Sequence, residues 1–386
     1  MSSSTTITKI ETFRVPPRWL FLRVETSDGI VGWGEPVLEG RAATVEAAVH
    51  EMAPQVMGSD PSRIEDTWQR LTRSAFYRHG PVLNSAIAGY DQALWDIAGK
   101  RLGVPVHDLL GGAVRDRVRT YSWVGGDDPA GVREHIQARL DQGFTAVKMN
   151  ASGALRHIDS PAAIADVVAR ARAARETLGD TGDFALDFHG RVSPAMAHRL
   201  LPLLEELMPM WVEEPVVPEL SAEHLPRLVQ RSSIPIATGE RAFSRWDFMP
   251  LLEAGIAVAQ PDISHAGGIS ETRRIAAMAE TYGVGLAPHC PLGPIALASC
   301  LQVDLASPNT VIQESSLGIH YNEGWDLLDY LVDTSPFEVR DGHIDRLTGP
   351  GLGVEIDEAE VRKAAARGHD WATPTWNHAD GSLAEW

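Results

Sequence analysis

The segment LDFHGR, residues 186–191, carries an acid and a histidine two positions apart where an apolar run ends. Side chains two positions apart on a strand project to the same side, so Asp187 and His189 are predicted to face one cavity. Lys148 and Asn150 have the same spacing at the end of the earlier run AVKMN. Carboxylate, imidazole and ammonium groups together can bind a cation and move protons. The two pairs therefore predict an active site built at strand ends.

Three carboxylates close consecutive apolar runs at nearly equal intervals. Asp187, Glu213 and Glu240 are separated by 26 and 27 residues. Several charges buried in one place are costly unless something compensates them, and a metal ion is the simplest compensation. Oxygen ligands favour a hard divalent cation, and Mg²⁺ suits a site that must also accept substrate oxygens. We therefore predict that these three residues bind Mg²⁺. Only one of the adjacent Glu213 and Glu214 should be a ligand, because neighbouring strand residues face opposite ways.

A second histidine follows the next two runs. Asp262 ends one run and His289 ends the next, so the carboxylate could orient the imidazole and raise its basicity, as a general base requires. His189 is then available as the acid on the other side, and Glu314 closes the last run. A nucleophilic pair of His289 and Cys290 is rejected, because adjacent strand residues point apart.

Each of these residues has a simpler interpretation when it is taken alone. Asp262 could cap the following helix, Glu240 could form a surface ion pair, and a histidine at a strand end is often only structural. The prediction of an active site depends on their combination at successive strand ends.

The elements that must position these residues form a repeating pattern after residue 119. Eight short apolar runs are each followed by an amphipathic helical segment, the last one less clearly. The runs are TYSW (120–123), AVKMN (146–150), FALDFH (184–189), MWVEE (210–214), IPIATGE (234–240), IAVAQPD (256–262), VGLAPH (284–289) and TVIQE (310–314). Eight such units predict a closed (β/α) TIM-type barrel over residues 116–334, whose active site lies at the carboxyl ends of the strands.

The first 115 residues have a different pattern. Three strand-like runs, ITKIETFRV, LFLRVET and VGWGEPV, precede segments with helical periodicity. They predict a separate α+β domain over residues 1–115. The irregular tail, residues 335–386, is expected to pack back on that domain.

Composition limits the partners. The chain of 386 residues has 34 Lys and Arg against 52 Asp and Glu, a net charge of −18, so its surface repels nucleic acid and anionic lipid. Two cysteines suit a reducing compartment, and neither a signal peptide nor an apolar run of membrane-spanning length is evident. We therefore expect a cytoplasmic protein that acts on a small molecule.

The order of motifs on successive runs resembles that of the enolase superfamily, mandelate racemase subgroup. The motifs are Lys-x-Asn, Asp-x-His, Glu-Glu-Pro, Gly-Glu, Gln-Pro-Asp, Ala-Pro-His and Gln-Glu. More narrowly, the blocks PPRWLFLRVET, GWGEPVLEGRA, YSWVGG, LDFHGRVS, QPDISHAGGI, APHCPLGPIALA, GIHYN and GPGLGVEID resemble the D-galactonate dehydratases of that subgroup. The likeness runs from about residue 7 to the end of the chain.

The resemblance implies a modified, enolase-like barrel whose N-terminal domain caps its mouth, and a Mg²⁺-dependent dehydration of D-galactonate. His289 would take the proton on carbon 2, and His189 would protonate the departing 3-hydroxyl. An enediolate stabilised by Mg²⁺ and Lys148 would lead to a 2-keto-3-deoxy acid. Glu314 would bond to a substrate oxygen, and the resemblance selects Glu213 as the metal ligand instead of its neighbour.

The same resemblance implies roles in substrate binding. Asn150 stands where racemases of the subgroup carry a second lysine, and its presence favours elimination over racemisation. The loop residues Trp19, Glu39, Arg41 and His320 are candidates to contact the sugar chain, although simple loop packing would also explain them. Members of the subgroup commonly assemble as homo-oligomers, so we expect the same here.

Several alternatives stay open. A dehydratase for another aldonate or an aldarate would share every barrel residue named above. A racemase or epimerase of the subgroup would exchange the proton on carbon 2 and keep the hydroxyl. A non-catalytic barrel would lack an acid, a base or a ligand, and none is missing. A glycosidase has no need of three metal-binding carboxylates beside a histidine and aspartate pair.

Overall fold

A computed structural model describes residues 5–126, 128–319, 322 and 324–385. His320, which was predicted to contact substrate, lies outside these residues. Within the described chain, no helix is long and apolar enough to cross a membrane.

The N-terminal part is an antiparallel sheet covered by helices. Its strands are β1 (Ile7–Val15), β2 (Trp19–Thr26) and β3 (Val31–Gly34), and they pair in chain order. The helices are α1 (Ala42–Val56), α2 (Ile64–Arg73), α3 (Pro81–Leu102) and the short α4 (Val106–Leu109). The sheet packs closely on α3, because a side chain at Gly34 would overlap the carbonyl of Gly89. The apolar faces of sheet and helices thus share one core.

Eight parallel strands follow in the described chain and close into a barrel. They are β4 (Arg117–Val124), β5 (Ala146–Asn150), β6 (Asp183–Asp187), β7 (Val212–Glu213), β8 (Ile236–Thr238), β9 (Val258–Ala259), β10 (Gly285–Leu286) and β11 (Gln313–Ser315). The strands pair in chain order, a bridge from Leu286 to Thr310 joins β10 to the segment before β11, and β11 pairs with β4. The predicted fold class, a TIM-type barrel with an N-terminal α+β domain, is confirmed.

Helices cover the outside of the barrel. They are α5 (Pro129–Asp141), α6 (Pro161–Leu178), α7 (Pro194–Leu204), α8 (Pro218–Val229), α9 (Arg245–Glu253), α10 (Gly268–Thr281) and α11 (Pro294–Ala306), with a 3₁₀ turn at Glu205–Leu207. Side chains cap the N-termini of several helices. Asp128, Ser160 and Ser193 accept backbone N–H groups at the starts of α5, α6 and α7, and the first residue of each of these helices is proline. The barrel interior mixes large and small side chains, which fill it: Tyr121, Ala146, Ala185, Trp211, Ala237, Val258, Ala287 and Ile312.

The C-terminal region departs from the predicted pattern. In the described residues β11 is followed not by an α-helix but by 3₁₀ turns at Leu327–Tyr330 and Ser335–Phe337. The later elements are β12 (Val339–Arg340), β13 (His343–Asp345), α12 (Glu358–Ala365), β14 (Trp376–Asn377) and β15 (Leu383–Ala384). α12 packs on β1, and Arg23 pairs with Glu358 at 3.1 Å. β13, however, pairs antiparallel with β4, so the tail also extends the barrel sheet and does not pack on the N-terminal domain alone.

Candidate active site

A cavity of about 620 Å³ lies at the carboxyl ends of the barrel strands, between the barrel and the N-terminal domain. The predicted site residues that line it are Glu39, Arg41, Lys148, Asn150, His189, Glu240, His289 and Glu314. Asp187, Glu213 and Asp262 are fully buried directly behind this lining and contact it. The strand ends therefore bring together the polar residues that the sequence separates by up to 166 positions, from Lys148 to Glu314.

The ammonium group of Lys148 lies among three carboxylates at the cavity floor. Its Nζ lies 2.6 Å from Glu213 Oε1, 3.0 Å from Glu314 Oε1 and 3.7 Å from Asp187 Oδ2. Burial alone would lower the pKa of Lys148, but the charges of Glu213 and Glu314 outweigh it and hold that pKa well above its ordinary value. Lys148 is therefore a fixed cation at the cavity floor.

Asp187 and His189 face the same cavity, as their spacing predicted. His189 Nε2 lies 2.9 Å from Asp187 Oδ2, and the backbone N–H of His189 donates to Asp187 Oδ1 at 2.8 Å. The chain turns sharply here, because His189 has a positive φ of 48°. Burial would raise the pKa of Asp187, but the charges of His189 and Lys148 keep it below its ordinary value. Asp187 is therefore held in its anionic form, as a ligand for a cation would need to be.

Glu213 and Glu214 point to different partners. Glu213 Oε2 accepts hydrogen bonds from Gln260 Nε2 at 2.7 Å and Trp211 Nε1 at 3.1 Å. Glu214 leaves the strand with a positive φ of 40° and pairs with Arg241. Burial, together with the nearby charge of Asp187, raises the pKa of Glu213 to about 8. A bound cation would relieve this crowding of carboxylates.

The donor atoms suit a hard cation. Asp187 Oδ2, Glu240 Oε2 and Glu314 Oε1 are buried in the cavity floor, where nitrogens of His189, His289 and Lys148 lie 2.9, 3.2 and 3.0 Å from them, respectively. Ligand atoms of Asp187, His189 and Glu240 lie within 4.8 Å of one another, whereas Glu213 is turned towards Lys148. Mg²⁺ prefers carboxylate oxygens, so the residues present fit that ion. The assignment of Glu213 as the third ligand stays a prediction.

Asp262 and His289 form the predicted pair. His289 Nδ1 lies 2.8 Å from Asp262 Oδ2, which leaves Nε2 facing the cavity, 3.2 Å from Glu240 Oε2. Asp262 Oδ1 also accepts the backbone N–H groups of Ser264 and His265, so it caps the following turn as well. Burial would lower the pKa of His289, but Glu240 and Glu314 hold it well above its ordinary value.

The structure contradicts one of the predicted substrate contacts, that of Trp19. Its side chain is fully buried in the N-terminal core, with its ring centre 6.2 Å from that of Phe21 and 5.7 Å from that of Tyr330. The preceding Arg18 lines the cavity in its place, where it approaches Glu39 at 3.9 Å.

Among the cavity-lining residues that sequence reasoning missed, three are buried and carry a cationic or imidazole side chain, namely Arg18, Arg191 and His265. His265 lies 3.4 Å from Glu39 and 3.6 Å from Asp262, three residues earlier. The spacing Asp262-x-x-His265, in the motif QPDISHAGG, is the signal that could have found it. Arg191 lies beyond the turn at His189 and Gly190, so strand alternation gives no signal for it.

The chain matches two family models that together span most of its length. Residues 8–111 match the mandelate racemase / muconate lactonizing enzyme N-terminal domain, and residues 131–360 match the enolase C-terminal domain-like family. The D-galactonate dehydratase of Variovorax paradoxus (strain S110) is 56% identical over 381 residues, 98% of this chain and 100% of that relative. The D-galactonate dehydratase of Xanthomonas axonopodis pv. citri (strain 306) is 57% identical with the same coverage.

Solved structures show the same relationship at lower identity. An enolase from Pantoea ananatis with bound D-gluconate and Mg is 29% identical, with a TM-score of 0.87 over 98% of this chain and 99% of that one. An enolase from Agrobacterium radiobacter with bound Na and L-malate is 32% identical, with a TM-score of 0.89 over 99% and 100%. The chain therefore belongs to the mandelate racemase/muconate lactonizing enzyme family of the enolase superfamily, and its relatives place it among the dehydratases, which are hydro-lyases.

Proposed function

We propose that the protein is a Mg²⁺-dependent dehydratase that converts D-galactonate to 2-keto-3-deoxy-D-galactonate. The observation that carries the proposal is the placement of His289 and His189 just after different strands around one cavity, with carboxylates and Lys148 at its floor. The D-galactonate dehydratases at 56% and 57% identity support the substrate.

His289 is the general base of the proposal. Because Asp262 holds Nδ1, Nε2 faces the cavity beside Glu240, and in the neutral ring it can accept the proton from carbon 2 of the substrate. The neighbouring carboxylate also stabilises the imidazolium that forms when the proton arrives. Asp262 is itself fixed by two backbone N–H groups, so the ring orientation is set before substrate binds.

His189 is the general acid. Its Nε2, beside Asp187, can supply a proton to the 3-hydroxyl, which then leaves as water while the electrons of the broken carbon–hydrogen bond form the double bond. The resulting enol tautomerises to the 2-keto-3-deoxy acid.

Lys148 and Glu314 act on the carboxylate end. Proton removal from carbon 2 places a second negative charge on the substrate carboxylate, and the fixed ammonium of Lys148 stabilises that charge. Glu314 lies 3.0 Å from Lys148, so it can fix the position of the lysine or accept a hydrogen bond from a substrate hydroxyl. Mg²⁺, held by Asp187, Glu240 and Glu213, would polarise the same carboxylate as a Lewis acid when bound.

The racemase alternative lacks the second lysine that racemases of the subgroup carry at the position of Asn150. Asn150, whose Oδ1 is buried and unpartnered among the described residues, cannot take a proton as a lysine would. A dehydratase for another aldonate or an aldarate keeps the same barrel residues, and the residues of the cap and tail must distinguish these substrates.

The test offers the purified protein with Mg²⁺ a panel of C5 and C6 aldonates and aldarates, in D₂O, and measures 2-keto-3-deoxy acid. Keto acid from D-galactonate is the expected result. Dehydration of another acid sugar with D-galactonate untouched would refute the substrate. Deuterium in recovered substrate without keto acid would favour the racemase.

A further inference from the structure

The C-terminal strap, residues 369–377, crosses the mouth of the cavity. It follows α12 and leads into the hairpin of β14 and β15. Residues 369–375 make no backbone–backbone hydrogen bond with any described residue. Side chains attach the strap instead, as where His369 Nε2 lies 3.2 Å from the Trp19 carbonyl oxygen. Four of its residues line the cavity, namely Trp371, Thr373, Pro374 and Trp376.

The two tryptophans of the strap cover two arginines of the cavity. The ring of Trp371 lies 5.4 Å from Arg18 Cζ, and the ring of Trp376 lies 4.5 Å from Arg191 Cζ. Both arginines are nearly buried, at 3% and 6% exposure. An arginine stacked on an aromatic ring keeps its N–H donors in the plane of the guanidinium, where they can bind a further acceptor.

Each arginine is also attached to the barrel next to a catalytic histidine. Arg18 Nη2 donates to the carbonyl oxygen of Pro291 at 2.8 Å, two residues after His289. Arg191 follows His189 by two residues, and its Nη1 donates to the Ser152 carbonyl at 3.0 Å. Arg18 is thus bonded to the segment that follows His289, and Arg191 belongs to the segment of His189.

We propose that Trp371 and Trp376 are positioning residues, which hold Arg18 and Arg191 in the orientation in which these guanidinium groups bind the hydroxyls of the acid sugar away from its carboxylate. The strap then completes the substrate site and selects the length of the sugar chain. This inference rests on the proposed function. It assigns the hydroxyl-bearing end of the substrate to the strap at the cavity mouth, because Lys148, which would bind the carboxylate end, lies at the cavity floor.

The test compares leucine and phenylalanine at the two strap positions. Trp376→Leu and Trp371→Leu are expected to raise KM for the substrate about tenfold each, with a much smaller change in kcat, because uniform binding is lost. Trp376→Phe, which keeps a ring over Arg191, should retain most of the affinity. The matched control is Trp246→Leu, since Trp246 stacks on Arg245 at 4.7 Å and does not line the cavity. Equal losses of kcat in the leucine variants with KM unchanged would overturn the proposal, and so would the same effect in the control.

A binding measurement separates this inference from the proposed function. Calorimetric titration of His289→Asn with D-galactonate and Mg²⁺ gives the dissociation constant without turnover, and adding Trp376→Leu should weaken it about tenfold. An unchanged constant would overturn the role of the strap even if the wild-type protein makes the keto acid. If the wild-type protein dehydrates another acid of the panel, the proposed substrate fails and the same titration with that acid tests the strap.

Discussion

Glu35 of the N-terminal domain accepts a hydrogen bond from the backbone N–H of Gly293, at the start of α11 in the barrel, at 2.6 Å. Its other oxygen accepts from Ala296 at 2.9 Å. The side chain is fully buried, and burial raises its pKa to about 8. Because α11 follows the loop after His289, this contact fixes the cap domain to the barrel beside the proposed base.

Replacing Glu35 by alanine is expected to lower the free energy of unfolding by about 2 to 4 kcal/mol, because two buried N–H groups lose their acceptors. Urea unfolding followed by circular dichroism measures the loss. Glu35→Gln should cost less, since its amide oxygen can still accept one of the two bonds and the raised pKa already favours an uncharged side chain. An alanine variant as stable as the wild type would show that water replaces these bonds.

His289→Asn is expected to lower the rate of keto acid formation at least about 10³-fold, because the base is removed while the site keeps its shape. Mg²⁺ binding should persist, since the asparagine leaves the proposed ligands in place. Rate measurements and Mg²⁺-dependent thermal shifts are the two readouts. His343→Asn, on β13 and outside the cavity lining, is the control and should remain active. Near-normal turnover in the first variant would remove His289 from the role of base.

Mg²⁺ is expected to raise the melting temperature, because a ligand that binds only the native state stabilises it by about 2.7 kcal/mol at 100 times its dissociation constant. Chelation with EDTA should reverse the shift and stop keto acid formation, and added Mg²⁺ should restore both. Glu240→Gln should weaken the shift, whereas Glu253→Gln, on the exposed end of α9, should not. If Mg²⁺ raised the melting temperature of both variants equally, Glu240 would not be a ligand of the cation.

The strand ends could be predicted from the sequence because local pattern determines them. A polar residue that closes an apolar run faces the same rim in every unit of a barrel, and this rule alone located Lys148, Asp187 and His289. It could not choose between Glu213 and Glu214. The choice depends on the positive φ at Glu214, which turns that carboxylate to Arg241.

The remaining contacts depend on residues far apart in the chain. Trp19 looks like a loop aromatic in the sequence, yet it is buried because Tyr330 packs against its ring. No sequence pattern around Trp371 and Trp376 predicts that their rings contact Arg18 and Arg191. Such pairings arise only when the cap, barrel and tail have assembled.

Asp304 should make the stability of the protein depend on pH. It is fully buried in α11, its Oδ1 accepts from Thr310 at 3.2 Å, and burial raises its pKa to about 8. Below its ordinary pKa of about 3.9 both states hold the proton, and between that pH and about 8 only the native state does. Its contribution is therefore complete below about pH 4 and is lost as the pH rises through about 8, because the unfolded state binds fewer protons over this range.

Asp304→Asn removes this titration, so the stability of the variant relative to the wild type is expected to rise from pH 5 to pH 8 and then level off. The slope has an upper limit of about 1.4 kcal/mol per pH unit. Urea unfolding at each pH measures it. Asp333→Asn is the matched control, because hydrogen bonds from Ser335 lower the pKa of its exposed carboxylate and confine its titration to a lower pH. A difference between Asp304→Asn and the wild type that is flat from pH 5 to pH 8 would mean that Asp304 is ionised in the native protein.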